Sequence, residues 1–173
     1  YNQPEKMIKN KEQVFFDLTI LESIIDYYLN TGESEKAIQV TCYAKQLYPY
    51  AFHLEVLHAQ IIFDFNEELD SALEILKKAE KNDPSNPKIF ILKSNILSRQ
   101  DKFEEAEKIL NKALAITSEG GEIFYHLAML NMDHGKFEQA IFFFKKSQQL
   151  NHKADEILYE MAYCFDMKGE LDK

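Results

Sequence analysis

The stretch that decides the fold is Phe103–Leu110, which reads FEEAEKIL. The same phrase occurs at Leu69–Leu76 as LDSALEIL and at Phe137–Phe144 as FEQAIFFF, with an alanine always at its fourth residue. The copies are evenly spaced, and a fixed period of about 34 residues is typical of helical hairpins that stack side by side. This repeat period predicts an all-α protein, a right-handed α-solenoid of stacked antiparallel helical hairpins.

The period divides the chain into four hairpins and part of a fifth. The segment Pro84-Ser85-Asn86-Pro87 separates two of them, because proline is disfavoured inside a helix and favoured in its first turn. Gly135 suits a left-handed turn between the two helices of one hairpin. We therefore predict a single repeat domain over 1–173. Its hairpins cover about 18–50, 51–85, 86–119, 120–153 and, in part, 154–173.

The N-terminal hairpin departs from the strict period. Asn10 is expected to cap a first helix that extends over 11–31, since the apolar pattern begins early. The step from Ala37 to Ala72 is one residue longer than the step from Ala72 to Ala106. The spacing therefore places one inserted residue between Ala37 and Ala72, which we expect near Tyr50.

The fifth hairpin stops after its first helix. Gly169 follows Gly135 by one full period, yet the sequence ends at Lys173, where a second helix is due. Terminal repeats normally present a polar outer face. We therefore expect a piece of a longer repeat protein, or a last helix that pairs in trans, which leaves self-association through the open C-terminal end as an alternative.

The charge balance narrows the class of partner. The chain carries 20 Lys and Arg against 29 Asp and Glu, a formal net charge of −9 at pH 7. Nucleic-acid affinity depends mainly on cations that neutralise phosphates, and anionic membrane surfaces attract basic segments. No stretch approaches the ~18 apolar residues of a membrane span. We predict a protein or peptide partner, no nucleic acid and no membrane insertion.

The two cysteines, Cys42 and Cys164, are predicted to stay unpaired, because they lie several repeats apart and a disulfide spans only a few ångströms. Free thiols favour a reducing, cytoplasmic compartment without establishing one. The sequence does not begin with Met and is compatible with a removed leader. The localisation is therefore left open.

The repeated pattern resembles that of the tetratricopeptide repeat family over nearly the whole chain. The fourth hairpin departs from the family pattern at Asn131, where an aromatic residue is usual, and at Ser147, where alanine is usual. The resemblance implies a non-enzymatic scaffold that binds other proteins. The matching residues of that hairpin are Phe124, Leu127, Ala128, Gly135, Phe137, Ala140 and Phe144.

In an array of this family the first helices of the hairpins line a concave groove. Tyr125 and Met129 lie one helical turn apart, as do Tyr159 and Tyr163, and both residue types suit adaptable binding surfaces. We expect the groove to hold an extended or helical segment of a partner. The alternative is that these side chains pack against second helices or further repeats. The predicted groove residues are Leu57, Ile61, Ile91, Asn95, Tyr125, Met129, Met132, Tyr159 and Tyr163.

A subtype of the family holds a partner's C-terminal carboxylate with a Lys and an Asn one turn apart. Here Asn95 is present but Ile91 occupies the place of the lysine, and Lys88 and Arg99 are the nearby cations. Several converging cations are needed to hold a carboxylate well, so this clamp is disfavoured.

Phe142 is a separate candidate on the convex side. The other hairpins carry Gln39, Glu74 and Lys108 at the matching place, so Phe142 is expected to be exposed. It is either a singly exposed apolar residue, which is common, or a lateral contact.

The sequence offers no catalytic motif. It lacks a Gly-rich phosphate loop, HExxH and CxxC, and its five histidines are not spaced to share a metal. We therefore predict no catalytic residues, no metal and no cofactor. Besides the interaction scaffold, one alternative function remains, a regulatory or sensory repeat segment of a larger multidomain protein whose effector domain lies beyond Lys173.

Overall fold

The structure is a computed structural model that describes residues 16–66, 68–117, 120–150, 152 and 154–169. Within these ranges the chain forms nine α-helices and no strands, which confirms the all-α prediction. One five-residue π-helix, Ile62–Asn66, directly follows the third α-helix. The α-helices are α1 (Leu18–Asn30), α2 (Ser34–Leu47), α3 (His53–Ile61), α4 (Leu69–Asn82), α5 (Pro87–Arg99), α6 (Phe103–Leu114), α7 (Gly120–Asp133), α8 (Phe137–Gln149) and α9 (Ala154–Met167).

The first described helix begins later than the helix expected over 11–31. Asp17 is its N-cap, with φ −57° and ψ 145°, and its carboxylate accepts a hydrogen bond from the Thr19 backbone N–H at 3.3 Å. Residues 16 and 17 therefore precede the helix. Asn10 and residues 11–15 lie outside the described residues.

The chain packs into two compact units that divide between Asn82 and Asp83. The first unit holds α1–α4 and the second holds α5–α9. Inside each unit the helices pair as hairpins, and the second helix of a hairpin packs on the first helix of the next. The single domain expected over 1–173 stays a prediction.

The alanines of the repeat are buried inside the hairpins. Ala72, Ala106 and Ala140, the residues that define the period, are all fully buried. A side chain of one carbon lets two helix backbones approach, and larger neighbours then fill the remaining space. Ala37 and Ala128 are fully buried as well.

The buried residues of α3 show where the extra residue of the second hairpin lies. By burial, Ala59 corresponds to Ser94 of α5, and Ile61 corresponds to Ile96. The two residues of each pair are separated by one residue more than the repeat period. The buried alanines of the following helices return to the regular period. The insertion therefore falls after Ile61.

The π-helix Ile62–Asn66 occupies the place of this insertion. A single π turn accommodates one extra residue inside a helix without breaking it. The insertion expected near Tyr50 is thus wrong. An insertion there would leave the buried residues of α3 one regular period before those of α5, but they lie one residue further away.

The two departures from the family pattern have a structural reason. The Asn131 amide donates to the Leu127 carbonyl at 2.8 Å, and the Ser147 hydroxyl donates to the Gly121 carbonyl at 2.7 Å. Both side chains are buried, so these bonds satisfy polar atoms that water does not reach.

The described residues bear on two further predictions, on the cysteines and on membrane insertion. Cys42 and Cys164 are free, as expected. In the described ranges, no helix is both long enough and apolar enough to cross a membrane.

Candidate protein-binding site

The nine predicted groove residues differ in exposure. Tyr159 and Tyr163 of α9 are exposed, at 77% and 46% of their surface. The others contribute less surface to a partner. Ile61, Ile91 and Tyr125 are buried, while Leu57, Asn95, Met129 and Met132 are half-buried.

A pocket of about 520 Å³ lies where the end of α7 and the start of α8 meet α9. It brings together three of the predicted residues, Met132, Tyr159 and Tyr163. The ring of Phe137 forms one wall, edge to face with Tyr163 at 6.5 Å between ring centroids. We call this site the Tyr/Met pocket. Its lining residues are Met132, Asp133, Gly135, Phe137, Tyr159, Glu160, Tyr163 and Met167.

A glycine turn positions the α7–α8 side of the pocket. Gly135 has φ +70°, a conformation that residues with a Cβ rarely adopt. Its N–H donates to the Met132 carbonyl at 2.9 Å, and the Lys136 N–H donates to the Asn131 carbonyl at 2.8 Å. This helix-ending arrangement reverses the chain so that Phe137 starts α8 beside the end of α7.

The sequence of α9 positions the tyrosine side. Ile157 and Cys164, two turns apart, are buried in the cluster that α7 and α8 contribute to. Tyr159 and Tyr163, one turn apart, lie on a different face of the same helix and remain exposed. The burial of the first pair therefore turns the tyrosines toward solvent and the pocket.

Two carboxylates make the pocket acidic. Desolvation raises the pKa of the Asp133 carboxyl, although the residue as a whole is exposed, and His134 opposes that rise. Burial, together with the charge of Glu160, raises the pKa of the Cys164 thiol. Among the described residues, neither Asp133 nor Glu160 forms an ion pair with a lysine or arginine.

Of the two groove residues predicted on α3, the structure buries Ile61 and half-buries Leu57. Ile61 is only 1% exposed and belongs to the apolar cluster of the first unit, while Leu57 packs against that cluster. The reason is the insertion after Ile61, which shifts the face of α3 by one residue. Val56 and Gln60 occupy the places that correspond to Ile91 and Asn95 once this extra residue is counted.

Ile91 and Tyr125 are also corrected, because packing inside the second unit removes them from solvent. The Tyr125 ring meets that of Phe144 at 5.9 Å and that of His152 at 5.8 Å between centroids, in edge-to-face geometry. Tyr125 keeps only 9% of its surface and Ile91 keeps 8%. Both are packing residues in this structure, so the packing alternative applies to them.

Phe142 is more than half exposed, on α8. The Lys146 ammonium lies 5.7 Å from the centre of its ring, and the Phe143 ring lies 5.3 Å away. A cation over the ring face offsets part of the cost of exposing it. A lateral contact at Phe142 stays a prediction.

A polar network that the sequence does not reveal joins α2 to α3. The Lys45 ammonium lies 3.1 Å from His58 Nδ1 and 2.7 Å from the Glu55 carboxylate, and His58 Nε2 lies 3.8 Å from the Cys42 thiol. Burial lowers the pKa of His58, and Lys45 lowers it further against an opposing effect of Glu55. A neutral imidazole that accepts from Lys45 fits a structural role. Nowhere in the described chain do three His, Cys, Asp or Glu residues converge to hold a metal ion.

Helical hairpins with buried alanines at a regular period define a helical repeat protein. Family models described as tetratricopeptide repeat match residues 66–124 and 121–153, which together span just over half of the chain. The chain belongs to the tetratricopeptide repeat family. Members of this family generally bind protein partners and act as non-enzymatic scaffolds.

One curated relative shares this assignment. TPR repeat-containing protein YpiA of Bacillus subtilis (strain 168) is 32% identical to the chain over 81 residues. The matched part makes up 47% of this chain and 19% of YpiA. The chain thus spans about a fifth of the length of this relative.

Solved structures share the fold at low sequence identity. TTC0263, a thermophilic TPR protein of Thermus thermophilus, matches with a TM-score of 0.74 and 19% identity over 93% of this chain and 86% of that one. Pseudomonas aeruginosa pilF matches with a TM-score of 0.71 and 24% identity over 88% and 69%. A tetratricopeptide repeat protein from Parabacteroides merdae ATCC 43184 has a TM-score of 0.65 and 19% identity over 90% and 61%. The predicted α-solenoid fold is therefore confirmed.

Proposed function

We propose that this chain is a protein-interaction module whose Tyr/Met pocket binds a segment of a partner protein. The observation that carries the proposal is the exposure of Tyr159 and Tyr163 at a pocket that Met132, Phe137 and Met167 also line. Tyrosine is enriched among the residues that dominate binding energy at protein interfaces. Methionine adapts to partners of different shape.

The proposal is narrower than the groove expected from the sequence. It uses the exposed residues of α9 and the half-buried end of α7, and it omits Ile61, Ile91 and Tyr125 because they are buried. Asn95 and Met129 of the second unit are half-buried and are proposed only as the flank of a bound segment, whereas Leu57 lies in the first unit and is not part of this proposal. The energy of binding is expected to concentrate at the two tyrosines.

The test is selection of binding peptides from a displayed library of random 12-residue sequences, followed by Kd measurement for one selected peptide. The variant Tyr159→Ala/Tyr163→Ala is expected to bind at least tenfold more weakly, because each tyrosine contributes about 1 kcal/mol or more at an interface. Tyr27→Ala/Tyr50→Ala is the matched control, since these tyrosines are also exposed but lie in the first unit. Circular dichroism checks that all proteins keep their helicity.

Two outcomes would count against the proposal. In one, the parent protein selects no peptide. In the other, the two double tyrosine variants change the Kd by the same factor. Tyr125 is left unchanged in every variant, because removing a buried ring would confuse a loss of binding with a loss of folding.

The alternative function, a regulatory segment of a larger protein, rests on one observation. YpiA, the curated relative, is much longer than the part that matches this chain. We propose as its test the sequence of the gene on both sides of this stretch. An adjoining effector domain whose activity changes when the selected peptide binds would support the regulatory function, and an activity that does not respond would speak against it.

A further inference from the structure

The Tyr/Met pocket combines aromatic faces with negative charge. Tyr159 and Tyr163 present their rings on one side, and the carboxylates of Asp133 and Glu160 lie on the same lining. The thioether of Met167 adds an exposed apolar wall. Aromatic rings and carboxylates together form the environment that a cationic side chain prefers over water.

The lining of the pocket contains neither lysine nor arginine. Of the two lysines nearest in sequence, the Lys136 ammonium lies 3.5 Å from the centre of the Phe103 ring, and the Lys168 ammonium lies 3.2 Å from the Glu138 carboxylate.

The surroundings of Asp133 act against its charged carboxylate. Desolvation raises its pKa, which means that the surroundings disfavour the charged form. A partner cation offsets this effect when it binds. The acidic balance of the whole chain, a formal net charge of −9, attracts such a partner at long range.

We propose that the Tyr/Met pocket receives an arginine side chain of the partner segment. The guanidinium pairs with Asp133 and Glu160, and its flat face lies on a tyrosine ring. The methylene groups of the arginine pack against Met132 and Met167. The inference rests on the proposed function, since it names the chemistry of the segment bound at that same site.

The residue types of the lining favour arginine over other side chains. A planar guanidinium stacks on a tyrosine and pairs with carboxylates at once, whereas the lysine ammonium is a compact and strongly hydrated charge. An acidic side chain meets like charges at Asp133 and Glu160. At about 520 Å³ the pocket falls within the range of roughly 300–1,000 Å³ typical of ligand sites.

The experiment uses a selected 12-residue peptide and three derivatives in which its arginine is replaced by lysine, by glutamine or by citrulline. Citrulline keeps the shape of arginine and removes its charge. Fluorescence anisotropy measures Kd for the parent, for Asp133→Asn/Glu160→Gln, and for Glu104→Gln/Glu105→Gln. The last variant removes two exposed carboxylates from α6, outside the pocket lining, and controls for net charge.

The expected result has three parts. Selected peptides share an arginine, and citrulline at that place weakens binding to the parent about tenfold. Asp133→Asn/Glu160→Gln weakens binding of the arginine peptide about tenfold but leaves the citrulline peptide unchanged within about twofold, which is the non-additivity of a direct pair. Glu104→Gln/Glu105→Gln stays within about twofold of the parent.

The outcomes separate this inference from the proposed function. Peptides that depend on Tyr159 and Tyr163 but share no arginine, or that bind equally with citrulline or lysine, overturn the arginine assignment and leave the proposed function intact. Selection of no peptide overturns both. If the double carboxylate variant loses its helicity, the arginine assignment is judged from the Kd values of the arginine and citrulline peptides for the parent protein.

Discussion

Helices α7 and α9 occupy the same place in successive repeats, yet matching residues on them differ in exposure. Tyr125 and Tyr159 are one period apart, and their exposed fractions are 9% and 77%. Ala128 and Ala162 are separated by the same period, and only the first is buried. The difference teaches that a repeat position does not set exposure. The neighbours of each helix set it.

The neighbours of α7 are visible in its contacts. Helix α8 supplies Phe144 against the Tyr125 ring and Ala140 near Ala128, and His152 covers the ring from another side. The tyrosine at the same place on α9, Tyr159, is exposed among the described residues. A role of Tyr159 in binding stays a proposal.

The largest expected effect is the difference in stability between alanine variants of Tyr125 and Tyr159. Tyr125→Ala is expected to lower the free energy of unfolding by about 3 kcal/mol, because it removes a buried ring and leaves a cavity. Tyr159→Ala, at an exposed site, is expected to change it by less than about 0.5 kcal/mol. Urea unfolding followed by circular dichroism measures both. Equal losses for the two variants would contradict the comparison.

A smaller effect is expected at the paired alanines. Ala128→Leu is expected to cost about 1–3 kcal/mol, since the extra carbons have no space in the contact between α7 and α8. Ala162→Leu serves as the control and is expected to be tolerated, because its site is exposed. Thermal unfolding of both variants is the measurement. An unchanged melting temperature for Ala128→Leu would mean that the helix contact is looser than the structure has it.

The smallest effect concerns Asp133, whose counterpart one period later, on α9, is Met167. Since desolvation raises the folded-state pKa of Asp133, the carboxyl adds stability below its ordinary pKa of 3.8 and loses that contribution as pH rises through the raised value. Asp133→Asn is therefore expected to be more stable than the parent at pH 7, by at most a few tenths of a kcal/mol after solvent screening. The advantage is expected to vanish below pH 3.8.

Thermal unfolding of the two proteins at pH 7 and pH 3 tests this sign. A variant that is less stable than the parent at pH 7 would show that Asp133 has a favourable partner in the unbound protein. That result would also remove one support for a cation site in the Tyr/Met pocket.

Much of the fold was predictable because it depends on local spacing. The alanines that mark the period were found as buried residues, and Gly135 has the left-handed conformation expected for the turn. The all-α fold and the family followed from the same pattern. These features need only the residue types along the chain, since small residues and glycine have specific conformational and packing roles.

The candidate site was predictable only in part. Of the predicted groove residues, Tyr159, Tyr163 and Met132 line one pocket, while Ile61, Ile91 and Tyr125 are buried. Binding at the pocket stays a prediction. An apolar or aromatic residue on a first helix suits either role, and its type does not distinguish them. The pairing of Asp133 and Glu160 on one pocket was missed, because they come from different hairpins.

By itself, the sequence determined that this protein is a series of helical hairpins, because small residues that recur at this period are what stacked hairpins need at their contacts. The tertiary structure alone decided that the extra residue of the second hairpin sits in the π-helix after Ile61, and that Tyr159 rather than Tyr125 is exposed. The physical reason is the same in both cases. Burial belongs to the set of neighbours around a side chain, and those neighbours are assembled only when the helices pack.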